Sequence, residues 1–109
     1  MNAPRIAAVI PAFEEAATVG DIARRTLRHA DVVIVVDDGS ADGTADALAG
    51  LDVVVVRHAR NLGKGASLAD GIALALEQGV DAVATLDADG QHLPFFFPCK
   101  WPDHGPLCE

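Results

Sequence analysis

The sequence predicts an open α/β fold, a mostly parallel sheet built from Rossmann-like βαβ units, and three observations lead there. Four short aliphatic runs, at 6–10, 32–36, 53–56 and 82–86, are almost continuously apolar rather than alternating, as in strands covered on both faces. Segments with helical spacing separate them. The resulting order of strand, helix, strand, helix, strand, helix, strand is that of a right-handed βαβ series.

The first run gives way to Pro11, Ala12, Phe13, Glu14 and Glu15. Val19, Ile22, Ala23, Thr26 and Leu27 then recur at the spacing of one apolar stripe on an amphipathic helix. The second run stops at Asp37-Asp38-Gly39, and the stretch 44–48 is expected to be a short helix with Asp42 or Gly43 near its start. The third run leads to Asn61-Leu62-Gly63-Lys64-Gly65, at the entrance to a helix whose apolar positions include Leu68, Ile72, Leu74, Ala75 and Leu76. The fourth ends in Asp87-Ala88-Asp89-Gly90-Gln91-His92. Ligands of open α/β sheets sit at the carboxyl ends of strands, so these four loops are where chemistry is expected.

With 109 residues and half of them hydrophobic, the chain has material for one modest core. A net charge of −8 and scattered Lys/Arg argue against nucleic acid or an anionic membrane surface as partner, because both demand clustered basic side chains. An acidic protein that handles a phosphorylated ligand calls for a divalent cation as intermediary. No apolar run approaches the roughly 18 to 20 residues of a spanning helix, so no transmembrane segment and a cytoplasmic location are expected. His92, Cys99, His104 and Cys108 fit none of the usual zinc spacings. After Pro94 the composition changes abruptly to Phe95, Phe96, Phe97 and a Pro-rich stretch, and 95–109 is expected to be a divergent or frameshifted tail.

Each loop excludes a common alternative. The first lacks glycine, so it cannot be the G-x-G-x-x-G turn of a dinucleotide site; Glu14 and Glu15 read either as ligand contacts or as first-turn carboxylates favoured by a helix dipole. From Asp38 the second loop imitates the opening of a calcium loop, but Ala49 stands where a bidentate Glu is required. A turn with Asp42 as helix cap explains Gly39, Asp42 and Gly43, yet not two adjacent carboxylates at a strand end. In the third loop His58 occupies the glycine position of a phosphate loop, and Gly65 stands where Ser or Thr should bind magnesium. A Gly-Lys-Gly turn at a helix N-terminus still offers amides and a cation to an anion. In the fourth, Asp87 and Asp89 project to the same side of an extended segment, and paired carboxylates suit Mg²⁺ or Mn²⁺.

Taken together, VIPAFEE, VDDGSADGT, NLGKGAS and LDADGQH, in this order, resemble the N-terminal half of glycosyltransferase family 2, most closely its polyprenol-phosphate sugar synthases of the dolichyl-phosphate mannose (or glucose) type. The resemblance covers about residues 5–94. It implies the nucleotide-binding half of a GT-A-type fold, with 1–94 as the nucleotide-sugar-binding domain. Pro11, Ala12, Glu14, Asp37, Asp38, Lys64, Asp87, Ala88 and Asp89 are the implied donor-binding residues, and Asp87, Asp89 and Gln91 the implied ligands of Mg²⁺ or Mn²⁺.

The implied reaction transfers a hexose from a donor such as UDP-glucose or GDP-mannose, with inversion, to an acceptor of the polyprenol phosphate kind. Full-length relatives of this type are expected at the membrane periphery. This chain is expected to retain donor binding alone, no catalytic residue being assigned, and to self-associate through the tail or an open sheet edge. Two other readings are open to the sequence: a non-catalytic nucleotide-binding or oligomerising fragment, and a receiver-like signalling domain. The second suffers because the first strand ends in Pro11-Ala12-Phe13 rather than in an acidic pair.

Overall fold

A computed structural model describes residues 4–86 and 88. The elements run β1 (Ile6–Ala12), α1 (Val19–Thr26), β2 (Val32–Asp37), a single 3₁₀ turn (Asp46–Leu48), β3 (Val54–Arg57), α2 (Lys64–Glu77) and β4 (Ala82–Thr85). The sheet is parallel throughout and ordered β3-β2-β1-β4.

That order dictates which face each connection covers. The steps β1 to β2 and β2 to β3 move one way across the sheet, whereas β3 to β4 returns past two strands; right-handed crossovers therefore put α2 on the opposite face from α1 and the 3₁₀ turn. The core divides accordingly. Ala8, Ile10 and Ala12 of β1 and Val33 and Val35 of β2 pack with Val19, Ile22, Ala23 and Leu48. Their neighbours Ala7, Val9, Ile34 and Val36 face α2 through Ala75, Leu68, Ile72 and Leu74. Alternation along each strand feeds both clusters, and each fully buried Ile contributes about 1.5–3 kcal/mol.

Gly71 lets α2 lie close to the sheet: a Cβ there would fall 2.3 Å from Val9 Cγ1 and 3.2 Å from Val36 Cγ2. At the opposite end of the strands, Asp31 and Asp81, the residues just before β2 and β4, accept the amides of Ile6 and Arg5 at 2.8 Å each. These carboxylates hold the start of β1 between its two neighbours.

Four sequence expectations need correction. The stretch 44–48 is not a helix but a 3₁₀ turn of three residues, too short to do more than place Leu48 against α1. Asp42 does not cap it; its Oδ1 accepts the amide and hydroxyl of Thr44, and its Oδ2 accepts Ala16 N at 3.2 Å. Full coverage on both faces holds for β1 and β2 only, since β3 is a sheet edge with Val54 and Val55 exposed. Leu76, counted in the apolar stripe, is 64% exposed near the end of α2.

Candidate functional site

β1 sits where the strand order reverses, with β2 on one side and β4, reached from β3, on the other. At its carboxyl end a pocket of about 300 Å³ is lined by Pro11, Ala12, Phe13, Glu15, Asp38, Asn61, Gly63, Lys64, Ser67 and Ala88. All four strand-end loops contribute to it, as expected of a crevice at a topological switch point.

Asp37 and Asp38, indistinguishable in sequence, have different tasks because successive side chains leave a strand on opposite faces. Asp37 lies opposite Arg57 in the β2–β3 register, and its Oδ2 is 3.4 Å from Arg57 Nε. Its Oδ1 accepts Ser40 N at 3.0 Å and so closes the turn that follows β2. Gly39 continues this turn at φ +80, with its α-carbon so near Arg60 and Asn61 that a Cβ would meet backbone at 2.4 Å. Asp37 is therefore a turn and register residue that does not line the pocket.

Asp38 turns towards the other loop. Its Oδ1 accepts Leu62 N at 2.8 Å and meets His58 Nδ1 at 2.7 Å, while its Oδ2 accepts Gly63 N at 2.8 Å. Burial pushes this carboxyl up, but the His58 contact and the two amides outweigh it and hold Asp38 below the ordinary value of 3.8. The carboxylate thus fixes the approach to α2, placing Gly63, Lys64 and Ser67 on the pocket wall. Ser67 is fully buried, and its hydroxyl donates to Gly63 O at 3.2 Å across the first turn of α2.

The loop after β1 is not the first turn of a helix, so Glu14 and Glu15 are not first-turn carboxylates: α1 begins only at Val19. Glu14 has φ +55, a conformation held from outside by Ser40, whose hydroxyl accepts Glu14 N at 2.7 Å. Thr44 Oγ1 likewise accepts Glu15 N at 3.0 Å. These contacts turn the Glu15 side of the loop into the pocket; Glu14 is exposed and does not line it. Thr44 in turn holds the Asp42 carboxyl below its ordinary value, against the opposing effect of burial.

Of the residues expected at the site, Pro11, Ala12, Asp38, Lys64 and Ala88 meet in the pocket, whereas Glu14 and Asp37 flank it. Asp87, Asp89, Gln91, the tail 95–109 and the set His92, Cys99, His104 and Cys108 lie outside the described residues. Ala88 is buried, and its carbonyl accepts the hydroxyl of Thr18, which ties the segment between the two acids to the start of α1. Among the described residues no three His, Cys, Asp or Glu side chains are grouped to hold an ion. Phe13, Glu15, Asn61, Gly63 and Ser67 also line the pocket, although none is among the implied donor-binding residues; the i, i+4 spacing of Gly63 and Ser67 is the sequence signal that puts these two side by side.

Residues 7–98 match the family described as Glycosyl transferase family 2. The chain belongs to that family. Among its relatives, the UDP-N-acetylglucosamine–dolichyl-phosphate N-acetylglucosaminyltransferase of Methanococcus voltae is 32% identical, over 79% of this chain and 41% of that protein. The polyprenol monophosphomannose synthase of Mycolicibacterium smegmatis is 36% identical, over 83% of this chain and 37% of that protein. The chain thus spans about two-fifths of the curated relatives it matches. In three dimensions it resembles the glucosyl-3-phosphoglycerate synthase of Mycobacterium tuberculosis, solved with Mn²⁺, UDP and glucosyl-3-phosphoglycerate. There the TM-score is 0.70 at 27% identity, covering 85% of this chain and 37% of that one. The expected open α/β sheet of a family 2 glycosyltransferase, of GT-A type, is the fold observed. No helix among the described residues is long and apolar enough to cross a membrane.

Proposed function

We propose that the pocket at the end of β1 receives the nucleoside diphosphate of a sugar-nucleotide donor, and that this chain is the donor-binding part of a hexosyltransferase. The observation that carries the reading is the convergence of all four strand-end motifs on one pocket of about 300 Å³, a volume at the lower end of small-ligand sites. In this reading Phe13, 45% exposed at the pocket wall, offers an aromatic face to the base, and Asp38 offers an acceptor to the nucleoside. Lys64 and the start of α2 border the diphosphate, where amides and a cation favour negative charge. Asp37 and Glu14 shape the two loops from behind.

The acidic pair Asp87 and Asp89, with Gln91, would hold Mg²⁺ or Mn²⁺; the fit rests on Ala88, which lies between the acids and is itself part of the pocket wall. Such an ion stabilises the charge that develops on the departing diphosphate. Attack from the opposite face of the sugar gives inversion, and the named relatives favour a polyprenol phosphate as acceptor over a small hydroxyl compound. That acceptor would bring the working protein to a membrane surface. Residues 1–94 form the donor domain in this reading, and 95–109 lie beyond it.

Titration calorimetry with UDP, GDP and their hexose conjugates tests the reading, with and without Mn²⁺. The expected result is metal-dependent binding of one base over the other. Absence of binding by both nucleotides in excess Mn²⁺ would overturn it.

A further inference from the structure

His58 is the first residue after β3 and opens the segment that carries Asn61 and Gly63 to Lys64 at the start of α2, and its ring is held from two sides. Nδ1 lies 2.7 Å from Asp38 Oδ1 and Nε2 lies 2.7 Å from Asp70 Oδ2. Its side chain is only 7% exposed, as is Asp38 at 5%, whereas Asp70 on α2 is 55% exposed. These carboxylates come from different places, the loop that follows β2 and helix α2, and they are the charged groups that face the ring; Arg57, the last residue of β3, is directed to Asp37. A neutral imidazole has one N–H and can donate to only one of the two. The imidazolium donates to both.

We propose that His58 is a positioning residue that, as the imidazolium, clasps Asp38 to Asp70 and so sets the Asp38 carboxylate and the 61–64 loop in the geometry the pocket needs. The inference rests on the donor-binding reading for what the pocket holds, but the clasp itself does not. Asp38 shares its Oδ1 between His58 and Leu62 N, so the ring decides how this oxygen is turned and which part of the carboxylate remains for the pocket. Through Asp70, one helical stretch below Lys64, the same ring fixes α2 against the end of β2.

The electrostatics agree with the geometry. The contact with Asp38, then that with Asp70, raise the His58 pKa above its ordinary 6.5 against the opposing effect of burial. A raised histidine contributes stability that is complete below 6.5 and is lost as pH rises through the elevated value. Asp38, held below 3.8, contributes stability present above 3.8 and lost as pH falls through its depressed value. The clasp is therefore complete between these two pKa values and opens on the alkaline side.

Two measurements on the 109-residue chain test this. In NMR titration without nucleotide, the His58 ring is expected to titrate above 6.5 and to move down in Asp70→Asn; a ring titrating at or below 6.5, unmoved by that change, refutes the clasp. In calorimetry with UDP or GDP and Mn²⁺, wild-type affinity is expected to fall as the pH rises above 6.5. His58→Asn, whose amide can replace the Nδ1 donor without titrating, should bind with little pH dependence, whereas His58→Leu should bind about 10-fold or more weakly, the worth of one hydrogen bond to a charged group. A purely structural histidine would give the same pH profile in wild type and His58→Asn, and that result overturns the positioning role. Failure of wild type to bind either nucleotide overturns the donor reading and with it the positioning role, whereas intact binding with a pH profile shared by wild type and His58→Asn overturns the positioning role alone, so the two failures are distinguishable.

Discussion

Asp38 Oδ2 accepts the amide of Gly63 at 2.8 Å, and this bond joins the end of β2 to the residue that opens α2. Through it, a single carboxylate sets the distance between two loops of the pocket. Asp38→Ala removes the acceptor of the part-buried Leu62 and Gly63 amides together, and losing hydrogen bonds to a charged group costs about 1–3 kcal/mol where water replaces them only in part. The expected outcome is a loss of stability within that range by urea unfolding, an intact sheet by circular dichroism, and weaker nucleotide binding. Asp38→Asn should lose less stability, since its amide oxygen still accepts one of the two bonds. Equal stability of wild type and Asp38→Ala would show that the loop does not depend on this carboxylate.

The proposed reading assigns a metal to the acidic pair that flanks Ala88. Calorimetric binding of UDP or GDP is expected with Mg²⁺ or Mn²⁺ and to disappear in excess chelator. Asp87→Ala and Asp89→Ala should each abolish the metal effect without changing thermal stability in metal-free buffer. Affinity unchanged by chelator would refute a metal-bridged diphosphate.

Gly71 is predicted to tolerate no side chain. Alanine there gains up to about 1 kcal/mol of helix propensity, but the 2.3 Å approach to the buried Val9 Cγ1 has no room to relax and overpacking costs about 1–3 kcal/mol. Gly71→Ala should therefore be net destabilising. Gly65→Ala, also on α2 but with open space around it, should not be. A urea midpoint for Gly71→Ala at or above wild type would mean that α2 can retreat from the sheet at little cost.

Among the described residues β3 is an edge strand with no partner on its outer side, and Val54 and Val55 on it are 39% and 38% exposed. An apolar edge of this kind recruits other strands. Light scattering is expected to find species heavier than the monomer at high concentration, and Val55→Lys to shift the population towards the monomer. A monodisperse wild-type monomer under the same conditions would contradict self-association through this edge.

The sequence by itself determined the strand-and-helix order, the parallel sheet and four loops at strand ends, because these depend on local periodicity and on the chirality of βαβ connections. Pro11, Ala12, Asp38, Lys64 and Ala88 were pointed to by the family resemblance rather than by periodicity, and they line one pocket because each lies at or just beyond a strand's carboxyl end or at a helix start. Other features were decided only by tertiary contacts. The sheet edge exposed β3, although its valines look no different from those of buried β2. Asp37 and Asp38 took separate roles because one faces Arg57 and the other faces the 61–63 loop, an outcome of strand register rather than of residue type. Glu14 and Glu15 were drawn out of helical geometry by hydroxyls of Ser40 and Thr44, about 26 and 29 residues away in the chain. His58 and Asp70 sit 12 apart in sequence with no periodic relation, and they meet because α2 runs back along β1 and β2, beside the end of β3. Periodicity reports which face a residue shares with its near neighbours, whereas a hydrogen bond across loops depends on distances that exist only once the sheet has formed.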